Sequence, residues 1–146
     1  MRPTTAVEDN KRVLIIDALN MFLRSYTIIP SMNPQGLPNG GTIGFIKSLQ
    51  KFCREFRPSE VVICWDGHGG SQKQYKDYNK IIVSSDKDFF QLLGDDNVFI
   101  HRPSAKTIND RDYLINGKML THRTGIHPNN YALARAIDGD KSDNLE

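Results

Sequence analysis

Three short apolar runs in this chain each lead into an aspartate. Val13-Leu14-Ile15-Ile16 runs into Asp17, and Val61-Val62-Ile63-Cys64-Trp65 into Asp66. Ile81-Ile82-Val83 passes through Ser84-Ser85 to Asp86. The runs are brief and mostly β-branched, so they read as buried strands of a parallel sheet. In such a sheet the carboxyl ends of the strands share one edge, and ligands bind there. Three carboxylates are therefore expected to converge. One aspartate at a strand end is as often a helix cap as a ligand. If the three were independent, all being mere caps has odds of about one in eight.

The segments between the runs read as helices and loops. Asn20 to about Ile29 is a helix that Pro30 stops, and residues 30–41 are a loop with three prolines and three glycines. Ile43, Ile46, Leu49, Phe52, Cys53 and Phe56 mark one face of a helix from Thr42 to Phe56, broken at Arg57-Pro58-Ser59. A short helix follows Asp86, with Ser85 or Asp86 as its cap and Phe89, Phe90, Leu92 and Leu93 as anchors. Val98-Phe99-Ile100 is a fourth strand. Asn116-Gly117 reads as a hairpin turn, and Pro128 opens a last helix reaching about Ile137. Strands alternating with helices predict a three-layer α/β domain with a mostly parallel central sheet. Residues 67–80 do not fit easily: fourteen residues without an apolar stripe can span a parallel sheet but cannot cover it.

Composition narrows the chemistry. Among 146 residues the net charge is +2, from 19 basic and 17 acidic side chains, so function lies in where charges are placed. No apolar run of about 18 residues predicts a membrane span, and residues 1–10 lack the apolar core of a secretion signal. Cys53 and Cys64 form no CxxC pair, which argues against a disulfide framework and for a reducing, cytoplasmic setting. Asp88 lies two residues past Asp86, and Asp140 and Asp143 are three apart beyond the last helix. Clustered carboxylates repel, and a divalent cation compensates them. An all-oxygen site favours Mg²⁺ or Mn²⁺. Asp140 and Asp143 could equally close an Asx turn. Asp77, Asp95, Asp96, Asp110 and Asp112 read as solvated. Lys73, Lys76 and Lys80, interleaved with Tyr75 and Tyr78, suit phosphate contact and base stacking, or equally a solvated polar loop. The glycine-rich Asp66-Gly67-His68-Gly69-Gly70 is no phosphate-binding P-loop, His68 reads as a loop residue, and Ser84 and Ser85 have no positioned base.

The strings VLIIDALN, VVICWDGHGG, IIVSSDKDFFQLL and ALARAIDGDKSDN resemble the signature segments of the structure-specific 5′ nucleases. That family includes bacteriophage 5′–3′ exonucleases, flap endonucleases and phage-type RNase H, on a PIN-like core. The resemblance covers residues 12–143 in the family's order and is nearest to the phage exonucleases. It implies a resolvase-like three-layer fold with residues 1–10 as a disordered arm and 11–137 as the nuclease core. Residues 138–146 would begin a truncated helix–hairpin–helix. It implies that Asp17, Asp66 and Asp86 hold the catalytic metal, and that Asp88, Asp140 and Asp143 surround a second. Tyr75, Lys76 and Lys80 resemble the segment at the base of the family's helical arch, where the lysine approaches the scissile phosphate; Lys73 would join that nucleic-acid contact. The implied activity is Mg²⁺-dependent cleavage near 5′ ends of branched DNA or RNA–DNA, in phage-type replication or repair. Mn²⁺ would substitute, replication proteins would be partners, and the setting would be the host cytoplasm. Between Lys80 and Ile81 the family has the rest of the arch and an acidic E-A-D-D helix, and past Asn144 a helical DNA-gripping region. This sequence contains neither. If the polypeptide carries them, the reading is an active nuclease. If not, it is a metal- or nucleic-acid-binding module derived from one. A PIN-type ribonuclease is the third reading.

Overall fold

A computed structural model of the chain describes residues 11–67, 74–103 and 114–139. The first apolar run forms β1 (Arg12–Asp17), followed directly by α1 (Ala18–Ile28) and, after a loop, α2 (Gly40–Phe56). The second run forms the edge strand β2 (Glu60–Cys64), and the third forms β3 (Asn79–Val83). A 3-10 helix (Lys87–Leu92) leads to β4 (Val98–His101). β5 (Leu114–Ile115), α3 (Gly117–Thr124), a 3-10 turn (Pro128–Asn130) and α4 (Tyr131–Asp138) complete the described chain. No helix among the described residues is long and apolar enough to cross a membrane.

The sheet order is β2-β1-β3-β4-β5; the first four strands are parallel, and β5 runs antiparallel to β4. β1 thus lies between β2 and β3, which puts the topological switch beside the end of β1. Side chains alternate between the two faces. Leu14, Ile16, Ile81 and Val83 pack with Phe45, Phe52 and Phe56 of α2 on one face. Ile82 and Ile100 pack with Phe90, Leu93, Leu120 and Tyr131 on the other. Helices on both faces make three layers, as the alternation of strands and helices predicts. The second layer covers β3 to β5, while Val62 on β2 is half-buried and Cys64 exposed. This is the face for which the sequence of residues 67–80 offers no apolar stripe.

α1 and α2 pack against each other through glycines. A Cβ on Gly44 would lie 2.5 Å from Ser25 Cβ, and one on Gly41 2.7 Å from the Phe22 ring. α2 ends at Arg57, left-handed at φ 46°, where Pro58 forbids another helical turn. Three expectations are corrected. The second run is not buried: Val61, Ile63 and Trp65 are exposed, because β2 lies at the sheet edge. Helix α1 begins at Ala18, not Asn20, because Asp17 itself caps it. Asn116-Gly117 is not a hairpin turn: the Asn116 side chain accepts the Met119 N–H at 2.9 Å and caps α3.

Candidate metal centre

Asp17 closes β1, Asp66 follows β2 by two residues and Asp86 follows β3 by three. All three line one open cavity of about 420 Å³ at the carboxyl edge, together with Ile15, Leu19, Asn20, Leu23, Cys64, Trp65, Ile82 and Phe89. Parallel strands place their ends together, so the convergence follows from the fold itself.

The three carboxylates are held differently. Asp17 accepts the Asn20 N–H at Oδ1 (3.2 Å) and the Ser84 hydroxyl at Oδ2 (2.7 Å). Asp86 accepts the Asp88 N–H at Oδ1 (2.8 Å), capping the 3-10 helix. Both therefore cap a helix and line the cavity, so cap and ligand are not exclusive roles for one carboxylate. Asp66 is exposed. Asn20 ties the edge together: its Oδ1 accepts both the backbone N–H (3.2 Å) and the hydroxyl (2.9 Å) of Ser85. Arg102 donates from Nε (3.3 Å) and Nη2 (3.0 Å) to the Ser85 carbonyl, which fixes the turn preceding Asp86. The sequence reading missed Asn20, Ser84 as a bridge, and Arg102. The signal for Asn20 was its position three residues after a capping aspartate.

Asp88 points to a different partner. Its Oδ1 lies 3.6 Å from Arg135 Nε on α4. Asp140, Asp143 and Lys73 fall outside the described residues, as do the arm at residues 1–10 and the stretch 140–146. Tyr75, Lys76 and Lys80 are not brought to the acids. Lys80 pairs in register with Val13, four residues before Asp17 on β1, a separation of about 13 Å along the strand. Lys80 Nζ donates to the Tyr78 carbonyl (3.2 Å), and Tyr75 and Tyr78 both donate their hydroxyls to the Glu60 carboxylate (3.1 and 3.0 Å). Residues that immediately precede a parallel strand lie at its amino edge, opposite the carboxyl edge. Lys76 and Lys80 instead line an open cavity there with Asp95, Asp96 and Asn97.

The donor set at the carboxyl edge fits a hard divalent cation in kind: carboxylate oxygens, open to solvent. In number it is incomplete. Among the described residues, no three His, Cys, Asp or Glu side chains are grouped closely enough to hold a metal ion.

A parallel α/β sheet that delivers carboxylates from three strand ends to one cleft defines a class of domain: a three-layer α/β fold with an acidic cleft at its switch point. Comparison with known proteins narrows the class. No family model matches the chain. It is 30% identical over 63 residues to a 5'-3' exonuclease of Bacillus subtilis, covering 40% of this chain and 21% of that protein. It is 40% identical over 72 residues to flap endonuclease Xni of Shewanella baltica, covering 47% and 26%. It is 38% identical over 68 residues to the thermostable DNA polymerase I of Thermus aquaticus, covering 47% and 7%. The chain thus matches about a quarter or less of each relative's length. These matches support the 5′ nuclease family for this chain.

Proposed function

We propose that the chain carries the metal-binding core of a 5′ nuclease, which hydrolyses phosphodiester bonds near the 5′ ends of branched DNA or RNA–DNA with Mg²⁺. The observation that supports it is the arrival of Asp17, Asp66 and Asp86 at one cavity. The names of the relatives, a 5'-3' exonuclease and a flap endonuclease, support this reaction class. In this reading Asp17, Asp66 and Asp86 hold the catalytic cation, and Asp88, Asp140 and Asp143 supply a second position. A bound divalent cation would polarise the phosphoryl oxygens and acidify an attacking water. The chain's own residues orient: Asn20 and Ser84 fix Asp17, and Arg102 fixes the turn before Asp86. Leu19, Leu23, Trp65 and Phe89 form the apolar part of the cavity wall. Replication proteins and the substrate's 5′ end are the partners of this reading.

A second reading is a binding module that holds metal or nucleic acid without cutting. It is favoured by the lack of a closed three-carboxylate group among the described residues. One assay separates the two: the purified chain is incubated with a 5′-labelled flap duplex in Mg²⁺ or in EDTA. Mg²⁺-dependent release of short 5′ products, absent in Asp86→Asn, supports the nuclease. Retention of the duplex on the protein with no product supports the binding module, and cleavage of single-stranded RNA in preference to the flap would turn the assignment towards a ribonuclease.

A further inference from the structure

Ser84 sits between two of the three strand-end acids. It is 1% exposed. Its hydroxyl donates to Asp17 Oδ2 at 2.7 Å and accepts the Asp86 backbone N–H at 3.1 Å. A hydroxyl has one proton to give, and here it goes to a carboxylate rather than to a backbone carbonyl. The next residue closes a second link, because Ser85 is held by Asn20, whose own N–H binds the other oxygen of Asp17. Both Asp17 oxygens are thus held from opposite sides, which fixes the carboxylate plane. The Asp86 backbone is tied to the same hydroxyl, so the ends of β1 and β3 are set relative to each other.

We propose that Ser84 is a positioning residue for the cation. It orients Asp17 and fixes the backbone from which Asp86 projects, so that both carboxylates are in place before a cation arrives. The inference rests on the metal-binding reading above. The physical argument is preorganisation. Two carboxylates free to rotate would turn away from each other, because like charges repel. A buried donor and a shared hydroxyl hold them together at no further cost when the cation binds. Hydrogen-bond partners behind metal ligands act in this way, and losing one typically weakens metal affinity by about 10- to 100-fold.

The test is a Mn²⁺ titration of the whole chain, read by electron paramagnetic resonance of free Mn²⁺, with melting in EDTA measured alongside. Ser84→Ala is expected to weaken Mn²⁺ binding about tenfold, and Ser84→Thr, which keeps the hydroxyl, to stay within about threefold of the parent. A purely structural serine would lower the melting temperature in EDTA and leave the Mn²⁺ affinity of the folded protein unchanged, and that result overturns the proposal. Should Ser84→Ala fail to fold, Ser84→Cys is read by the same criterion, since it keeps the volume with a weaker donor. Asp17→Asn and Asp86→Asn separate the two layers of argument. If both bind Mn²⁺ like the parent, the metal-binding reading fails and takes this proposal with it. If both lose Mn²⁺ while Ser84→Ala does not, the metal site stands and Ser84 is not its organiser.

Discussion

Asp17 and Asp66 have the same side chain, the same place in the topology and opposite structural burdens. Asp17 caps α1 through Asn20 and receives the buried Ser84 hydroxyl. Asp17→Ala therefore removes a cap and strands a buried donor. The expected loss is about 2–3 kcal/mol in a urea unfolding experiment, combining about 1 for the cap with 1–2 for the unpaired hydroxyl. Asp66 is exposed, so Asp66→Ala should shift the urea midpoint by no more than about 0.5 kcal/mol. Cleavage should fall by at least about 100-fold in both if each binds the cation. An Asp66→Ala variant with parental turnover would remove it from the site. The sequence showed where these acids fall, since a strand end is visible as an apolar run that stops. It also offered Asp86 as a cap, whose partner is the local Asp88 N–H, but it could not show that Asp17 receives the Ser84 hydroxyl, which comes from another strand. Asn116 makes the same point from the other side. The pair Asn-Gly signals a turn by its backbone freedom, yet the same asparagine side chain is a good N-cap, and here the helix that follows decides.

At the scale of elements, strand direction accounts for what became of the basic segment. Sequence spacing puts Lys76 and Lys80 ten and fourteen residues downstream of Asp66, which suggests a place near the acids. Direction does the opposite. A connection between parallel strands must travel back the length of the sheet, so its last residues start the next strand at the amino edge. Tyr75 and Tyr78 then clip that connection to Glu60. Lys76→Ala is accordingly expected to leave the cleavage rate of this chain within about twofold of the parent, whereas loss of 10-fold or more would mean that the lysine reaches the phosphate. This rule was available in the sequence once the strands were assigned, and it was the motif likeness that obscured it. The pairing of α1 and α2 was less legible, because it depends on Gly41 and Gly44 facing Phe22 and Ser25 across a helix crossing. Gly44→Ala would press a methyl against Ser25 and Ile29 and push the helices apart. A loss of about 1–3 kcal/mol is expected by thermal or urea unfolding. Since α1 carries Asn20 and begins at Asp17, Mn²⁺ affinity should fall with it; unchanged stability would show that the pair has slack.

Over the whole molecule, the fold gathers three carboxylates at one cavity, and like charges repel. Net charge is nearly balanced overall, so the repulsion is local and should be relieved by the ligand rather than by screening across the surface. The fold class was legible because it rests on the alternation of apolar strands with amphipathic helices, which recurs along the chain. The partner of Asp88 was not, since Arg135 reaches it from α4, a distant element of the chain. Linkage offers a measurement that spans the molecule without assigning each ligand. A cation that binds the folded chain and not the unfolded one stabilises it by RT ln(1 + [L]/Kd). For a weak site with Kd of about 1 mM, 10 mM Mg²⁺ contributes about 1.4 kcal/mol, a rise of about 3–6 °C in melting temperature for a domain of this size. The parent should show this rise, and Asp86→Asn should show much less of it. In EDTA the order should reverse, with Asp86→Asn melting as high as the parent or higher once one of the converging charges is gone, less the small change in its cap. Equal melting of parent and variant in both buffers would mean that the carboxylates share a cavity without sharing a cation.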